Sequence, residues 1–343
     1  MRKTKLKDIG EFSLISSLQK LIEDSAPNNL DPQFHLISGI GDDAAIWESP
    51  KSTQLLTTDT VVEGVHFNSV NSQWDDIGWK AMTANLSDIA AMGGIPLYCV
   101  ISLGLNPDSF TSDILSLYTG ILEASNEYSC RVVGGDISQS APEFINIALF
   151  GYCSQKPLTR SNAQIGESIA VTGTVGGSLA GLRLLTNSKD KAFSSLTNLE
   201  RQAVLRAHIR PHSARIHEGR QLASAGVRAA IDISDGLYAD LSRLCDASKV
   251  SAKVHQPLLP IDKSLKSLSN QEQSLLALQS GEEYELIYTA PSSLVRQLNN
   301  SLLTSSTIIG EIIQQVDQSV IILDENNIQR GLAVNGWDHF IKQ

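Results

Sequence analysis

The sequence predicts an α/β protein of the α+β type, built as two domains whose sheets carry helices on one face. Three observations predict it. A chain of 343 residues is too long for one ordinary core. Strand-like and helix-like segments mix in both halves, without the regular crossover helices of a doubly wound sheet. A polar, proline-containing connection, S-Q-K-P-L-T-R-S-N-A at 154–163, divides an N-terminal domain of 1–153 from a C-terminal domain of 154–343.

The elements follow in order. Residues 11–26 form an amphipathic helix with Phe12, Ile15, Leu18 and Ile22 on one face. Strands fit 36–47, 53–59 and 61–67, broken by Gly39, Gly41 and the P-K-S-T turn at 50–53. A helix over 76–92 is stopped by Gly93-Gly94 and Pro96, and carries Ala81, Ala84, Asn85 and Asp88 on one face. A strand at 97–105, a helix at 110–129 and strands at 131–133 and 144–153 complete the first domain. The second opens with strand 167–173, a glycine-rich turn and helix 178–186. Helices at 197–208 and 213–225, strand 228–234, helix 237–247 and further alternation to about 323 follow.

Composition narrows the function. No apolar run reaches the roughly 18–20 residues of a membrane span. The N-terminus is basic but lacks a following apolar stretch and cleavage site, so a cytoplasmic location is expected. Cys99, Cys130, Cys153 and Cys245 form no C-x-x-C pair, and buried reduced thiols are expected. A net charge of −10 argues against nucleic acid as a partner.

Seven aspartates stand beside apolar strands and small-residue turns: Asp42 and Asp43 in G-I-G-D-D-A-A, Asp59 in L-L-T-T-D-T, Asp88 in N-L-S-D-I-A-A-M-G, Asp136 in V-V-G-G-D, and Asp232 and Asp235 in A-A-I-D-I-S-D-G. A charge beside buried surface is costly unless compensated. Seven converging anions call for hard divalent cations with oxygen ligands, and Mg²⁺ is held by carboxylates together with substrate phosphates. One aspartate next to glycine is usually a turn or cap residue, as Asp75 and Asp76 are expected to be. That account fails for the set, where Thr57-Thr58 and Gly134-Gly135 precede the acid. The stretch S-G-I-G-D-D-A fits the dinucleotide fingerprint G-x-G-x-x-A, but Asp42 and Asp43 would repel a pyrophosphate there. P-loop, protein-kinase, H-E-x-x-H and G-x-S-x-G motifs are absent.

Other residues divide between structural and binding readings. Arg160 is a solvated arginine or a phosphate clamp. Arg210 and Arg215 could act likewise, with a helix-surface place the safer reading for Arg215. His66 is a structural histidine or a ligand contact. Glu282 and Glu283 are edge charges, Glu282 being the better functional candidate. Trp337 packs or offers a stacking surface.

Taken in order, G-D-D-A-A, T-T-D-T-V-V-E-G-V-H-F, N-L-S-D-I-A-A-M-G, V-V-G-G-D, L-T-R-S-N-A, I-D-I-S-D-G-L and G-E-E-Y-E-L resemble the thiamine-monophosphate kinase family, from Gly10-Glu11-Phe12 to the final W-D-H-F. The resemblance implies an aminoimidazole ribonucleotide synthetase-like fold, with an N-terminal sheet that pairs with its copy in a homodimer and a C-terminal α/β domain. It makes Asp43, Thr57, Thr58, Asp59, Asp88, Asp136, Asp232 and Asp235 ligands of several Mg²⁺ ions. Gly135, Asp136, Arg160 and Ser234 become ATP contacts. His66, Glu282 and Trp337 become contacts to thiamine monophosphate, and Asp42 belongs to its motif. Ser280 and Glu283 stand where the family usually has Gly and Asp, and Ser213 replaces a common Pro.

The implied reaction is direct in-line transfer from ATP to thiamine monophosphate, giving thiamine diphosphate. The acceptor is a phosphate monoester, already ionised near neutral pH, so no general base is needed. Two other functions compete: an amidine-forming ligase of purine synthesis, and a non-catalytic ATP–Mg²⁺ sensor. Their marks, different substrate motifs and a lost metal ligand, are not found.

Overall fold

Helices and strands of the computed structural model are described for residues 4–9, 11–25, 34–38, 40, 46–50 and 52–329. Asp42, Asp43 and Trp337, expected in the site, therefore lie outside the described residues. The chain divides into two units, Met1–Ile89 with Gly94–Ser154 and Ala90–Gly93 with Gln155–Gln343.

The first unit runs α1 (Leu6–Ile9), α2 (Glu11–Asp24), β1 (His35–Ser38), β2 (Ile46–Glu48), β3 (Thr53–Val62), α3 (Trp74–Ala91), β4 (Ile95–Leu105), α4 (Thr111–Asn126), β5 (Arg131–Gln139) and β6 (Phe144–Cys153). β1 and β2 pair antiparallel. The main sheet has the order β3-β6-β4-β5, so β3 and β5 are its two edges. β6 is antiparallel to both β3 and β4, while β5 is parallel to β4 and reached through α4. One face of the sheet carries Cys99, Ile101, Leu103, Ile145, Ile147 and Leu149, all buried. Helix α2 buries Leu14, Leu18 and Ile22, so Leu14 takes the place expected for Ile15.

Glycine sets how closely α3 and α4 approach. A Cβ on Gly120 would come 1.8 Å from the carbonyl oxygen of Asp75, and one on Gly78 would come 2.0 Å from that of Leu117. Both clashes are with backbone, which cannot swing aside. Gly120→Ala is expected to destabilise the protein by about 3 kcal/mol, in line with forced overpacking. Urea unfolding checks this; an unchanged midpoint would mean that the helices separate at little cost.

The second unit contains β7 (Ser168–Thr172), α5 (Gly177–Thr186), α6 (Asn198–Ile209), α7 (Ile216–Ser224), β8 (Ala229–Asp232), α8 (Leu237–Ser248), β9 (Val250–His255), α9 (Asn270–Gln279), β10 (Leu286–Ala290), α10 (Ser292–Leu298), β11 (Ser306–Gln314) and β12 (Val320–Leu323). Among the described residues its strands form one six-stranded sheet ordered β12-β9-β11-β7-β10-β8, antiparallel except for β12 against β9. Ile169, Val171, Ile231, Leu241, Leu244 and Ile287 belong to its core. Thr197 and Glu200 start α6 with a reciprocal capping box.

Two strands differ from expectation in ways that matter for the site. β3 continues through Asp59 to Val62, and 63–67 is a turn, with Gly64 at φ 80°. β5 does not stop at Val133 but runs on through Gly134-Gly135-Asp136. Its partner β4 extends to Leu105 and keeps offering backbone hydrogen bonds in register, Ile101 opposite Gly135 and Ser102 opposite Asp136. Gly135 makes this possible, because a Cβ there would sit 2.1 Å from the carbonyl oxygen of Ile101. All four cysteines are free and buried, as expected. Among the described residues no helix is long and apolar enough to cross a membrane.

Candidate active site

In the first unit the carboxylates sit where a strand edge meets a helix. Thr57 and Asp59, two apart on β3, share one face of the sheet; their register partners on β6, Leu149 and Ile147, are core residues. Asp88, on α3, accepts a short hydrogen bond from the Thr57 hydroxyl. One turn earlier on α3, buried Asn85 accepts from the Asp59 backbone N–H at 3.1 Å. Asn85 in turn donates to the carbonyl of Ala81. The face Ala81–Asn85–Asp88 read from the sequence therefore docks on β3, and its small residues let the carboxylate reach the strand. Thr58 points to the opposite face, where Asn146 donates to its hydroxyl at 3.0 Å.

Asp136 and Gly135 are exposed on β5. Two strands lie between them and Asp59. His66 lies in the turn after β3, its Nδ1 accepting from the Val62 backbone N–H at 3.1 Å. That bond fixes the ring and leaves Nε2 as its other polar atom.

In the second unit Asp232 ends β8, 3% exposed, and Ser234 and Asp235 form the turn into α8. Sequence reasoning missed what shapes this turn. The Asp240 carboxylate, in the first turn of α8, accepts from the backbone N–H groups of Ser234, Asp235 and Gly236 at 3.0, 3.0 and 3.1 Å. Burial pushes Asp240 up to about 6, against the pull of those N–H groups and of Arg243. Arg243 also holds Asp235, Nη1 to Oδ2, at 2.6 Å. An acid in the first turn after S-D-G was the signal available for Asp240.

The segment 280–285 between α9 and β10 carries three glutamates with different surroundings. Glu282 is partly exposed and lies 3.4 Å from His208 Nδ1. Glu283, read as an edge charge, is instead buried at 6% exposure. Glu285 is 1% exposed and is gripped by Arg215 through Nε at 2.8 Å and Nη2 at 2.6 Å. His212 Nε2 lies 2.9 Å from the same carboxylate and the Thr172 hydroxyl donates to it at 2.6 Å. Arg215 is thus no helix-surface residue; it closes a buried ion pair. Arg160 is exposed, at the turn before β7, its carbonyl accepting from Ser248.

The donors gathered here are oxygens: Asp59, Asp88 and the Thr57 hydroxyl in one unit, Asp232, Asp235 and Ser234 in the other. That chemistry fits a hard cation such as Mg²⁺. Among the described residues no three acidic, imidazole or thiol side chains converge on one ion-sized position.

Comparison with known proteins adds the lineage. Models of the AIR synthase related protein family match twice, the N-terminal domain over 41–153 and the C-terminal domain over 164–322. The chain is 34% identical over 340 residues to the thiamine-monophosphate kinase of Aquifex aeolicus (strain VF5), covering 98% of this chain and 100% of that one. The solved thiamine-monophosphate kinase from Stenotrophomonas maltophilia K279a matches with a TM-score of 0.77 and 31% identity, over 92% of this chain and 96% of that one. The solved complex of AaThiL with AMPPCP and TMP matches with a TM-score of 0.74 and 32% identity, over 99% of this chain and 100% of that one. Both domain models in order, and a likeness above 30% identity from end to end, show that the chain belongs to the thiamine-monophosphate kinase family of AIR synthase related proteins.

Proposed function

We propose that the protein transfers the γ-phosphoryl group of ATP directly to thiamine monophosphate, forming thiamine diphosphate and ADP. One observation carries this reading: the likeness, over 99% of the chain, to AaThiL complexed with AMPPCP, an ATP analogue, and TMP. Asp43, Thr57, Thr58, Asp59, Asp88, Asp136, Asp232 and Asp235 would hold several Mg²⁺ ions. When bound, the ions supply positive charge against the oxygens of two anionic reactants. Gly135, Asp136, Arg160 and Ser234 bind ATP, and His66, Glu282 and Trp337 bind the acceptor. The residues' own work is positional. Asn85 fixes the backbone at Asp59, Asp240 fixes the backbone at Ser234, and Arg243 fixes the Asp235 carboxylate. No general base is needed, since the acceptor phosphate is already ionised at neutral pH.

The reading includes a homodimer in the cytoplasm. Asp59 and Asp136 lie on opposite edges of one sheet, three inter-strand spacings or roughly 14 Å apart. Two aspartates cannot share one Mg²⁺ over that span, because each ligand oxygen must lie about 2.1 Å from the ion. Two-fold pairing of two such sheets sets β3 of one protomer beside β5 of the other. The strand that carries Asp136 of the partner subunit then lies beside the one that carries Asp59. The sheet face opposite the helices supports this, since Leu56 is 78% and Val100 40% exposed on it.

ADP release with thiamine monophosphate, thiamine and formylglycinamidine ribotide, each offered separately, tests the activity. Release is expected with thiamine monophosphate alone, lost in EDTA and restored by excess Mg²⁺. Turnover that survives chelation overturns the metal reading; release with only the ribotide overturns the acceptor.

A further inference from the structure

The turn from α9 into β10 holds two non-glycine residues in the left-handed region, Glu282 at φ 54° and Tyr284 at φ 53°. Such residues persist only where their surroundings enforce them. Part of that enforcement is backbone: Glu282 N–H donates to Ser234 O at 2.8 Å and Tyr284 N–H to Ile233 O at 3.0 Å. The rest comes from two side chains. Gly176, the residue just before helix α5, has no side chain to cap it. The first N–H groups of the helix are satisfied from the α9–β10 turn instead. Glu283 Oε1 accepts from Gly176 N–H at 2.7 Å and from Ser178 N–H at 3.2 Å. The Ser280 hydroxyl accepts from Leu179 N–H at 2.9 Å and donates to the same Glu283 oxygen at 2.5 Å. Ser280 is 0% and Glu283 6% exposed, so both interactions are shielded from water.

These two residues are the ones that stand where the resemblance points to Gly and Asp. Each caps α5 on its own, and one hydrogen bond ties the two together. A glutamate is one methylene longer than an aspartate and reaches α5 with the serine hydroxyl between the turn and Leu179. An aspartate is one methylene short of that reach, and the glutamate without the hydroxyl loses a donor.

We propose that Ser280 and Glu283 form a single clamp that caps α5 and holds the 281–285 turn, thereby positioning Glu282 for the phosphate acceptor. They are positioning residues and do not touch the reactants. The inference rests on the functional reading above for the acceptor, but not for the clamp itself.

Four proteins test it: wild type, Ser280→Gly, Glu283→Asp and the double variant. Each single change is expected to raise KM for thiamine monophosphate about tenfold while kcat and KM for ATP stay within about twofold, the loss of one buried charge-assisted hydrogen bond. The double variant is expected to lose less than the product of the two single effects, because Ser280 and Glu283 share one hydrogen bond. Single variants with unmoved KM, or effects that multiply in the double, overturn the proposal. Melting temperatures without ligand read the clamp independently: both single variants fall, and the double falls by less than their sum. Additive losses there refute the clamp even if wild type does not phosphorylate thiamine monophosphate, a result that by itself refutes only the functional reading.

Discussion

Asp59→Asn and Asp136→Asn are each expected to lower turnover of thiamine monophosphate by about 10³-fold, the several kcal/mol that a lost charge at a metal-assisted phosphoryl transfer represents. Mixed together after co-expression, the two inactive proteins are expected to recover about a quarter of wild-type activity per protomer. The arithmetic follows from the edges of the sheet. Random pairing makes about half of the dimers mixed. In a mixed dimer one site combines both damaged residues, while the other combines intact Asp59 of one chain with intact Asp136 of the other. Half of the sites in half of the dimers is one quarter.

The outcome separates two ideas that stand together in the functional proposal. If both variants are inactive and the mixture stays inactive, the aspartates matter but are not shared between protomers. If Asp136→Asn retains near-normal turnover, Asp136 is no ligand at all. Asp88→Asn serves as a control, because Asp88 and Asp59 lie on the same side of the division through their contacts with Thr57 and Asn85. Asp88→Asn mixed with Asp59→Asn should recover nothing, since every dimer then damages the same half of both sites or one half of each.

Much of the fold was legible because its elements are regular. Strand β6 falls at 144–153 as read, since alternating apolar residues with no glycine break until 151 have one obvious period. Helix α8 likewise follows S-D-G within a residue of expectation. The errors cluster where glycine and acid occur together. G-G-D at 134–136 reads as a chain leaving the sheet, yet it is an edge strand whose glycine admits the carbonyl of Ile101. Glu282 and Glu283 read as edge charges, yet Glu283 is buried and engaged, as is Glu285 two residues on, whose role the sequence did not mark. What decides these cases is the partner across the fold: α5 for Glu283, and Arg215 with His212 for Glu285. Their sequence distances of 70 and more residues leave no local trace. The acidic motifs were visible for the complementary reason, as clusters of charge beside apolar runs that local structure alone does not require.

Glu285→Gln is expected to cost the folded protein about 3–5 kcal/mol, the loss found when one partner of a buried ion pair is removed. Arg215 would keep its charge in a buried setting with nothing to balance it, while His212, which Glu285 holds up against burial and Arg215, would tend to lose its proton. The pH dependence identifies the cause. Burial alone would raise Glu285, but His212 and Arg215 beside it outweigh burial and hold it at about 2, below the usual 4.5. A depressed carboxylate contributes stability that is present above pH 4.5 and is lost as pH falls towards 2. Two residues away the sign reverses. Glu283 meets N–H and hydroxyl donors at its carboxylate rather than a bound cation, so burial prevails and pushes it up to about 7. Its contribution is full below pH 4.5 and is lost as pH rises through 7. Asp240, raised to about 6, and His212, raised above 6.5 by Glu285 despite its burial, weaken the fold in the same alkaline direction. Stability from denaturant unfolding should therefore peak in mild acid and decline on both sides. In Glu285→Gln the acid decline becomes shallower, and in Glu283→Gln the decline between pH 5 and about 8 does. A Glu285→Gln protein that melts like wild type at every pH would show that Arg215 and His212 escape to water, and that the buried pair organises nothing.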